Sequence, residues 1–328
     1  MKIAILGFGV EGKDAVRYFI REKAEITVFD IKNREALGIK MWITEQGDPL
    51  NKIEWMFGEE YLKAGLNGFD LLIRSPGVRP DLPQIQEAVK KGAKLTSATN
   101  IFFEKCKTPI IAVTGTKGKG TTSSLIKAAL DASGFKTILL GNIGEPMLSF
   151  LEEANKCDFA ILELSSFQTM DLHKSPHLVV VTNITSDHMD WHTSQEEYEK
   201  AKEQLWKNQT KEDFLVLNQF DTTCRKLAKH APGTIVWYTN SWAPGSLAYV
   251  EDKDWRMHEP EYDLEFHNKV MVDEQVLGET SEIKLPGSHN LLNVLAALCA
   301  VKLTGTDLKK AWQGITSFEG LEHRLEKV

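Results

Sequence analysis

The segment Ile110-Ile-Ala-Val-Thr-Gly-Thr-Lys-Gly-Lys-Gly-Thr-Thr122 joins an apolar, β-branched run to glycines, lysines and hydroxyls. Residues of these types in this order suit the phosphates of a nucleoside triphosphate, and ATP binding is expected. A strand that ends in a glycine turn and restarts as a helix points free backbone N–H groups at an anion, and glycine lets that backbone approach closely. Gly115, Gly118 and Gly120 fill this role, with Thr116 and Lys117 completing the loop. Lys119 brings a cation to the outer phosphates, and a following hydroxyl would face Mg²⁺. In the common form of this loop Ser or Thr follows the lysine directly. Here Gly120 stands there, so the metal-facing hydroxyl is Thr121 or Thr122.

Four other places carry chemistry. Gly7-Phe-Gly-Val-Glu-Gly12 is a GxGxxG between a strand pattern and a helix pattern, with Asp30 closing the next strand. That context fits a nucleotide diphosphate. The charge of Glu11 beside the anion site argues against NAD, leaving another nucleotide or a purely structural turn. Glu163 ends an apolar strand pattern, where open α/β sheets bind ligands and a carboxylate opposite a phosphate loop holds Mg²⁺. His188 follows another apolar strand among Asp187, Asp190 and His192. Lys202 falls on the same helical face as Tyr198, Ala201 and Leu205, an apolar stripe. It either snorkels to water or is desolvated, with a lowered pKa and a nucleophilic amine.

The elements that would position these groups alternate along the chain. Strand patterns at Lys2–Leu6, Glu25–Asp30, Phe69–Ile73 and Ala93–Thr96, with helices between them, predict a parallel sheet, followed by a hinge near Phe103 to Pro109. A second series begins at Ile110 and continues through Thr137–Leu140, Phe159–Leu164, Leu178–Thr182 and Phe214–Asn218, apolar on both faces as central parallel strands are. From about Leu247 to Leu285 shorter alternating segments predict an antiparallel edge. Helices are expected from His289 to Leu303 and near Leu308 to Gln313. The fold class is therefore α/β: an N-terminal Rossmann-like parallel-sheet domain over 1–104, and a central P-loop-type α/β ATPase domain with an antiparallel edge over 105–322.

A chain of 328 residues suits two domains at roughly 150 residues each. The formal net charge of −7 argues against nonspecific nucleic-acid binding. Four scattered cysteines without a CxxC pair argue against a zinc site or a disulfide framework. No apolar run approaches the roughly 20 residues that span a membrane. A cytoplasmic location is expected.

Together these residues resemble the Mur ligase superfamily along nearly the whole chain. Glu163-Leu-Ser-Ser-Phe-Gln168, Ser186-Asp-His-Met-Asp190, Tyr198-Glu-Lys-Ala-Lys202 and Leu285-Pro-Gly-Ser-His-Asn-Leu-Leu-Asn293 carry the resemblance, with His323-Arg324 similar to the family's hinge. The resemblance implies an ATP-dependent amide ligase of peptidoglycan precursor synthesis, adding D-glutamate to UDP-N-acetylmuramoyl-L-alanine through an acyl phosphate. It puts the UDP-sugar substrate on Val10, Glu11, Asp30, Ile31, Lys32, Gly77 and Asn142. It puts ATP on the loop from Gly115 to Thr122 with Asn290, Asn293 and Arg324. Mg²⁺ falls to Thr121 and Glu163 at one position, and to His188 with a carbamate on Lys202 at the other. Lys119, Glu163, His188 and Lys202 are thereby implied as catalytic. Residues 323–328 would begin a hinge to a third domain, without which the chain is expected to bind substrates, as a monomer, but not turn them over. A folylpolyglutamate synthase-like ligase and a noncatalytic nucleotide-binding module are the alternatives.

Overall fold

The computed structural model describes residues 1–46, 53–59, 61–63, 65–251 and 268–321. The chain divides into two compact units, one comprising Met1–Cys106 with Pro146–Glu152, the other Lys107–Glu145 with the chain from Glu153.

The first unit runs β1 (Lys2–Leu6), α1 (Val10–Arg21), β2 (Glu25–Asp30), α2 (Ile39–Gln46), β3 (Ile53–Phe57), β4 (Leu71–Arg74), α3 (Pro83–Lys90), β5 (Lys94–Ser97) and α4 (Ala98–Lys105). Its five strands lie in the order β3-β2-β1-β4-β5, every pair parallel. Successive strands wind outward on both sides of β1, so the crevice beyond the carboxyl ends of β1 and β4 is the position where such sheets bind ligands. Ala4, Leu6, Phe29, Leu72, Ile85 and Ala88 fill the core on one face. The hinge expected near Phe103 to Pro109 is helix up to Lys105: Ser97 caps α4 by accepting the Asn100 N–H at 3.1 Å, and Ala98 to Phe103 are buried. A buried helix without a polar face has no amphipathic period for sequence reading to find.

The second unit begins with β6 (Ile110–Thr114), α5 (Lys119–Ala132) and β7 (Thr137–Gly141). After α6 (Leu151–Ala154) it continues through β8 (Phe159–Glu163), α7 (Ser166–Thr169), β9 (Leu178–Val181), α8 (Gln195–Glu203), β10 (Phe214–Asn218) and α9 (Thr222–Ala228). Then follow β11 (Thr234–Tyr238), β12 (Ser246–Glu251), β13 (Lys269–Val272), β14 (Gln275–Glu279), α10 (Ser288–Leu303) and α11 (Leu308–Ser317). The sheet order is β14-β13-β12-β11-β10-β9-β6-β8-β7. Pairing is parallel from β7 to β12 and antiparallel at β12–β13 and β13–β14, so the expected antiparallel edge is formed by the last strands.

Because β6 lies between β8 and β9, the loops leaving these three strands emerge side by side. That adjacency builds the site. α10 is apolar around its whole circumference from Val294 to Val301, all fully buried against α5 and the strands. α11 approaches α5 so closely that a Cβ on Gly314 would lie 2.3 Å from the Ala128 carbonyl oxygen.

Candidate active site

The loop after β6 turns at two glycines. Gly115 has φ +146° and Gly118, the residue before α5, has φ +83°, in the range that favours glycine. A Cβ would meet the Thr182 hydroxyl at 2.0 Å from Gly115, and the Asn293 amide oxygen at 2.2 Å from Gly118. The loop is thus packed against the end of β9 on one side and α10 on the other. From β9 the Thr182 hydroxyl donates to the Lys117 carbonyl at 2.6 Å, and the Asn183 side chain accepts from Lys117 N–H and donates to its carbonyl. Backbone N–H groups at the start of α5 remain the natural partners of an anion.

Two ammonium groups share this loop. Lys119 Nζ donates to the carbonyls of Gly115 at 3.1 Å and Thr116 at 3.0 Å. Lys202, 1% exposed, reaches in from α8 and donates to the same Gly115 oxygen at 2.8 Å. Of the two sequence readings for Lys202, desolvation is the one realised. Burial first, and the Lys119 charge second, lower its pKa to about 7. Near neutral pH about half of such amines carry no proton.

Glu163, 4% exposed, closes β8 beside this loop. One carboxylate oxygen accepts the Asn142 side-chain amide at 3.0 Å, and the other would lie 3.2 Å from a Cβ on Gly120. A side chain at position 120, where the common loop has a hydroxyl residue, would sit tightly against that oxygen and the Ile143 side chain. Thr122 is fully buried, with its hydroxyl donated to Asn293 at 3.3 Å, whereas Thr121 is half-buried. Asn293 in turn donates to Asn290 at 3.1 Å, and Asn290 to the Pro286 carbonyl at 2.7 Å, so both asparagines are held at the loop.

His188 is placed differently. It sits exposed with φ +54°, its Nε2 3.5 Å from an Asp187 carboxylate oxygen and its ring 4.9 Å from that of Phe167. Left-handed backbone at a non-glycine residue is sparsely populated and recurs at functional sites. Among the described residues no hydrogen bond or ion pair joins His188 to Lys202, and no three His, Cys, Asp or Glu side chains converge as a metal cluster. Arg324 lies outside the described residues.

Sequence reasoning passed over two buried groups here. His192, 1% exposed, pairs through Nε2 with the Ser166 hydroxyl at 2.9 Å and stacks on Phe167 at an interplanar angle of 3°. Tyr198, read only as part of an apolar stripe, places its hydroxyl 3.0 Å from that of Thr116. For Tyr198 the available signal was a polar atom on an aromatic ring within an apolar stripe.

In the first unit, Gly7 turns at φ +89° and its carbonyl accepts the Ser75 hydroxyl at 2.7 Å. Gly12 allows α1 to start against that turn, since a Cβ there would lie 2.0 Å from the Gly7 oxygen. Asp30 is buried, and its carboxylate accepts the N–H groups of Phe8 at 2.6 Å and Lys32 at 2.8 Å. It therefore sets the shape of the glycine loop. Val10 and Ile31 are exposed at 70% and 59%, open to a ligand, and Gly77 lies in the turn after β4. Asn142 belongs to the second unit, beside Glu163.

A mostly parallel sheet with a phosphate-type loop after an interior strand, a carboxylate closing the neighbouring strand and a buried lysine behind the loop define a nucleotide-dependent enzyme class. Residues 113–301 match the Mur ligase middle domain, and residues 1–97 match the Mur ligase MurD-like N-terminal domain. The chain belongs to the Mur ligase family. It is 38% identical over 327 residues to a UDP-N-acetylmuramoylalanine--D-glutamate ligase of Acetivibrio thermocellus, covering 100% of this chain and 66% of that protein. The ligase of the same name from Symbiobacterium thermophilum is 36% identical, with 100% and 69% covered. The chain thus spans about two thirds of the length of these relatives. Among solved structures, the UDP-N-acetylmuramate:L-alanyl-gamma-D-glutamyl-meso-diaminopimelate ligase from Neisseria meningitides superposes with TM-score 0.63 at 16% identity, covering 98% of this chain and 99% of that one. MurC from Thermotoga maritima gives 0.58 at 20% identity, covering 98% and 69%. These two share the fold. The MurD-like match over 1–97 disfavours the folylpolyglutamate synthase-like alternative.

Proposed function

We propose that this chain is the substrate-binding and ATP-binding part of a ligase that joins D-glutamate to UDP-N-acetylmuramoyl-L-alanine, working as a cytoplasmic monomer. The γ-phosphoryl group of ATP passes to the substrate carboxylate, giving an acyl phosphate and ADP; the amine then attacks the acyl carbon and phosphate leaves. The observation that carries this reading is the convergence of Lys119, Lys202 and the Gly115–Gly120 loop beside Glu163. The donors fit Mg²⁺: a buried carboxylate and a half-buried hydroxyl, Thr121, are hard oxygen ligands, and a magnesium site completed by phosphate oxygens and water needs few from protein. When bound, Mg²⁺ neutralises charge between the γ-phosphate and the reacting carboxylate, which otherwise repel.

Lys119 releases the carbonyls of Gly115 and Thr116 and turns to the phosphates, and the α5 N–H groups orient them. Asn290 and Asn293 hold the nucleotide side of the loop. The depressed pKa of Lys202 supports a second reading of that residue, a carbamate formed with CO₂, which with His188 would face a second Mg²⁺. Val10, Glu11, Ile31, Lys32 and Gly77, around the loop shaped by Asp30, take the UDP portion, and Asn142 is a further residue assigned to the substrate.

Two experiments test this. Lys119→Ala should weaken MgATP binding about a hundredfold, as loss of a charge-assisted phosphate contact does; parent-like affinity would refute the nucleotide reading. For Lys202, ¹³C-bicarbonate at pH 8 should give a protein carbamate resonance that Lys202→Met abolishes, and an unchanged spectrum in that variant would contradict the assignment.

A further inference from the structure

Tyr198 has no part in the chemistry above, yet it touches both halves of the site. Its ring and Lys202 stand one turn apart on α8, with Lys202 Nζ 4.7 Å from the ring centroid. Its hydroxyl lies 3.0 Å from that of Thr116, inside the phosphate loop. The Thr116 hydroxyl donates to the Thr185 carbonyl at 3.0 Å and accepts the Thr185 N–H at 2.9 Å. With its one proton committed, the remaining capacity is as an acceptor, so Tyr198 is the donor. Tyr198 and Thr116 are 1% and 7% exposed, so water does not substitute freely for either partner.

We propose that Tyr198 is a positioning residue that holds the phosphate loop and Lys202 in register, by donating its hydroxyl to Thr116 and presenting its ring face to the Lys202 amine. The Thr116 hydroxyl also ties the loop to Thr185, on the segment that carries His188, so one side chain connects three parts of the site. Phenylalanine at this position would keep the core filled and the ring under Lys202 but leave the loop unanchored. This inference rests on the nucleotide reading of that loop.

The test combines MgATP titrations of the whole chain with NMR of protein labelled with ¹³C-lysine. Tyr198→Phe should raise the MgATP Kd about tenfold, the scale of one buried hydrogen bond. The ε-methylene resonance of Lys202, shifted by the ring current and assigned by its loss in Lys202→Met, should persist in that variant. Thr116→Val, which also cuts the ties to Thr185, should weaken MgATP at least as much, and adding Tyr198→Phe to it should cost less than about a further twofold, because the bond that Tyr198 makes is already gone. Tyr198→Leu should also abolish the shifted resonance; if that variant fails to fold, the Tyr198→Phe and Thr116→Val cycle decides alone. Parent-like MgATP affinity of Tyr198→Phe, or fully multiplicative losses in the double variant, overturns the inference. If Tyr198→Phe matches the parent while Lys119→Ala loses MgATP, the nucleotide reading stands and the tyrosine role falls. If Lys119→Ala also binds as the parent does, both fall.

Discussion

A lysine ammonium buried at 1% exposure is a liability to the fold, and Lys202 shows it in its pKa of about 7 against an ordinary 10.5. Below about pH 7 the amine is protonated in folded and unfolded chains alike, and the penalty for burying the charge is fully present. Between the two values the unfolded chain binds more protons than the folded one, so stability rises with pH through this window. In CO₂-free buffer, urea unfolding at pH 6.5 and at pH 9 should therefore show the parent gaining about 2 kcal/mol relative to Lys202→Met, whose own pH dependence removes the other groups. A difference that stays flat over this range would contradict the buried-amine description. At this scale the sequence was readable wherever residue type clashed with pattern. A lysine on the Tyr198–Leu205 stripe stood out, and Lys119 stood out by its place after Gly118. Tyr198 did not stand out, because an aromatic ring on an apolar face satisfies the pattern while its hydroxyl makes a contact 82 residues away; His192 was seen only as a neighbour of His188.

Among the elements, glycines mark where helices and strands press hardest on each other. A Cβ at Gly12 would fall 2.0 Å from the Gly7 carbonyl oxygen, and backbone cannot yield there without moving α1 from β1. Gly9, in the same loop, has φ −74° and open space around it. Gly12→Ala should destabilise the protein by about 3 kcal/mol, at the upper end of overpacking costs, and Gly9→Ala by well under 1 kcal/mol. Equal unfolding midpoints for the two variants would contradict this packing. The parallel strands were legible because their apolar runs are continuous, as β6 and β9 are. β3 was not: over Ile53–Phe57 only Ile53 is buried, so the segment carries no continuous apolar run. The buried helix α4 went unread, its last residues Phe103 to Lys105 falling in the expected hinge, since burial of Ala98 to Phe103 erases the period that identifies a helix.

Taken as a whole, the molecule is two α/β units, each with a glycine loop following an interior strand of its sheet, and the family assignment extends over both. Two separate loops suit the two separate ligands of the proposed reaction. Damage to one loop should therefore leave binding at the other nearly intact. The most direct test is calorimetric titration of the parent chain and of Lys119→Ala with MgATP, UDP-N-acetylmuramoyl-L-alanine, UDP and folate in turn. We expect the parent to bind MgATP and to bind UDP-N-acetylmuramoyl-L-alanine more tightly than UDP, with no response to folate, and Lys119→Ala to lose about a hundredfold for MgATP while keeping its affinity for the UDP-sugar within about threefold. Binding of folate in preference to the UDP-sugar, or parent-like MgATP binding by Lys119→Ala, would contradict it.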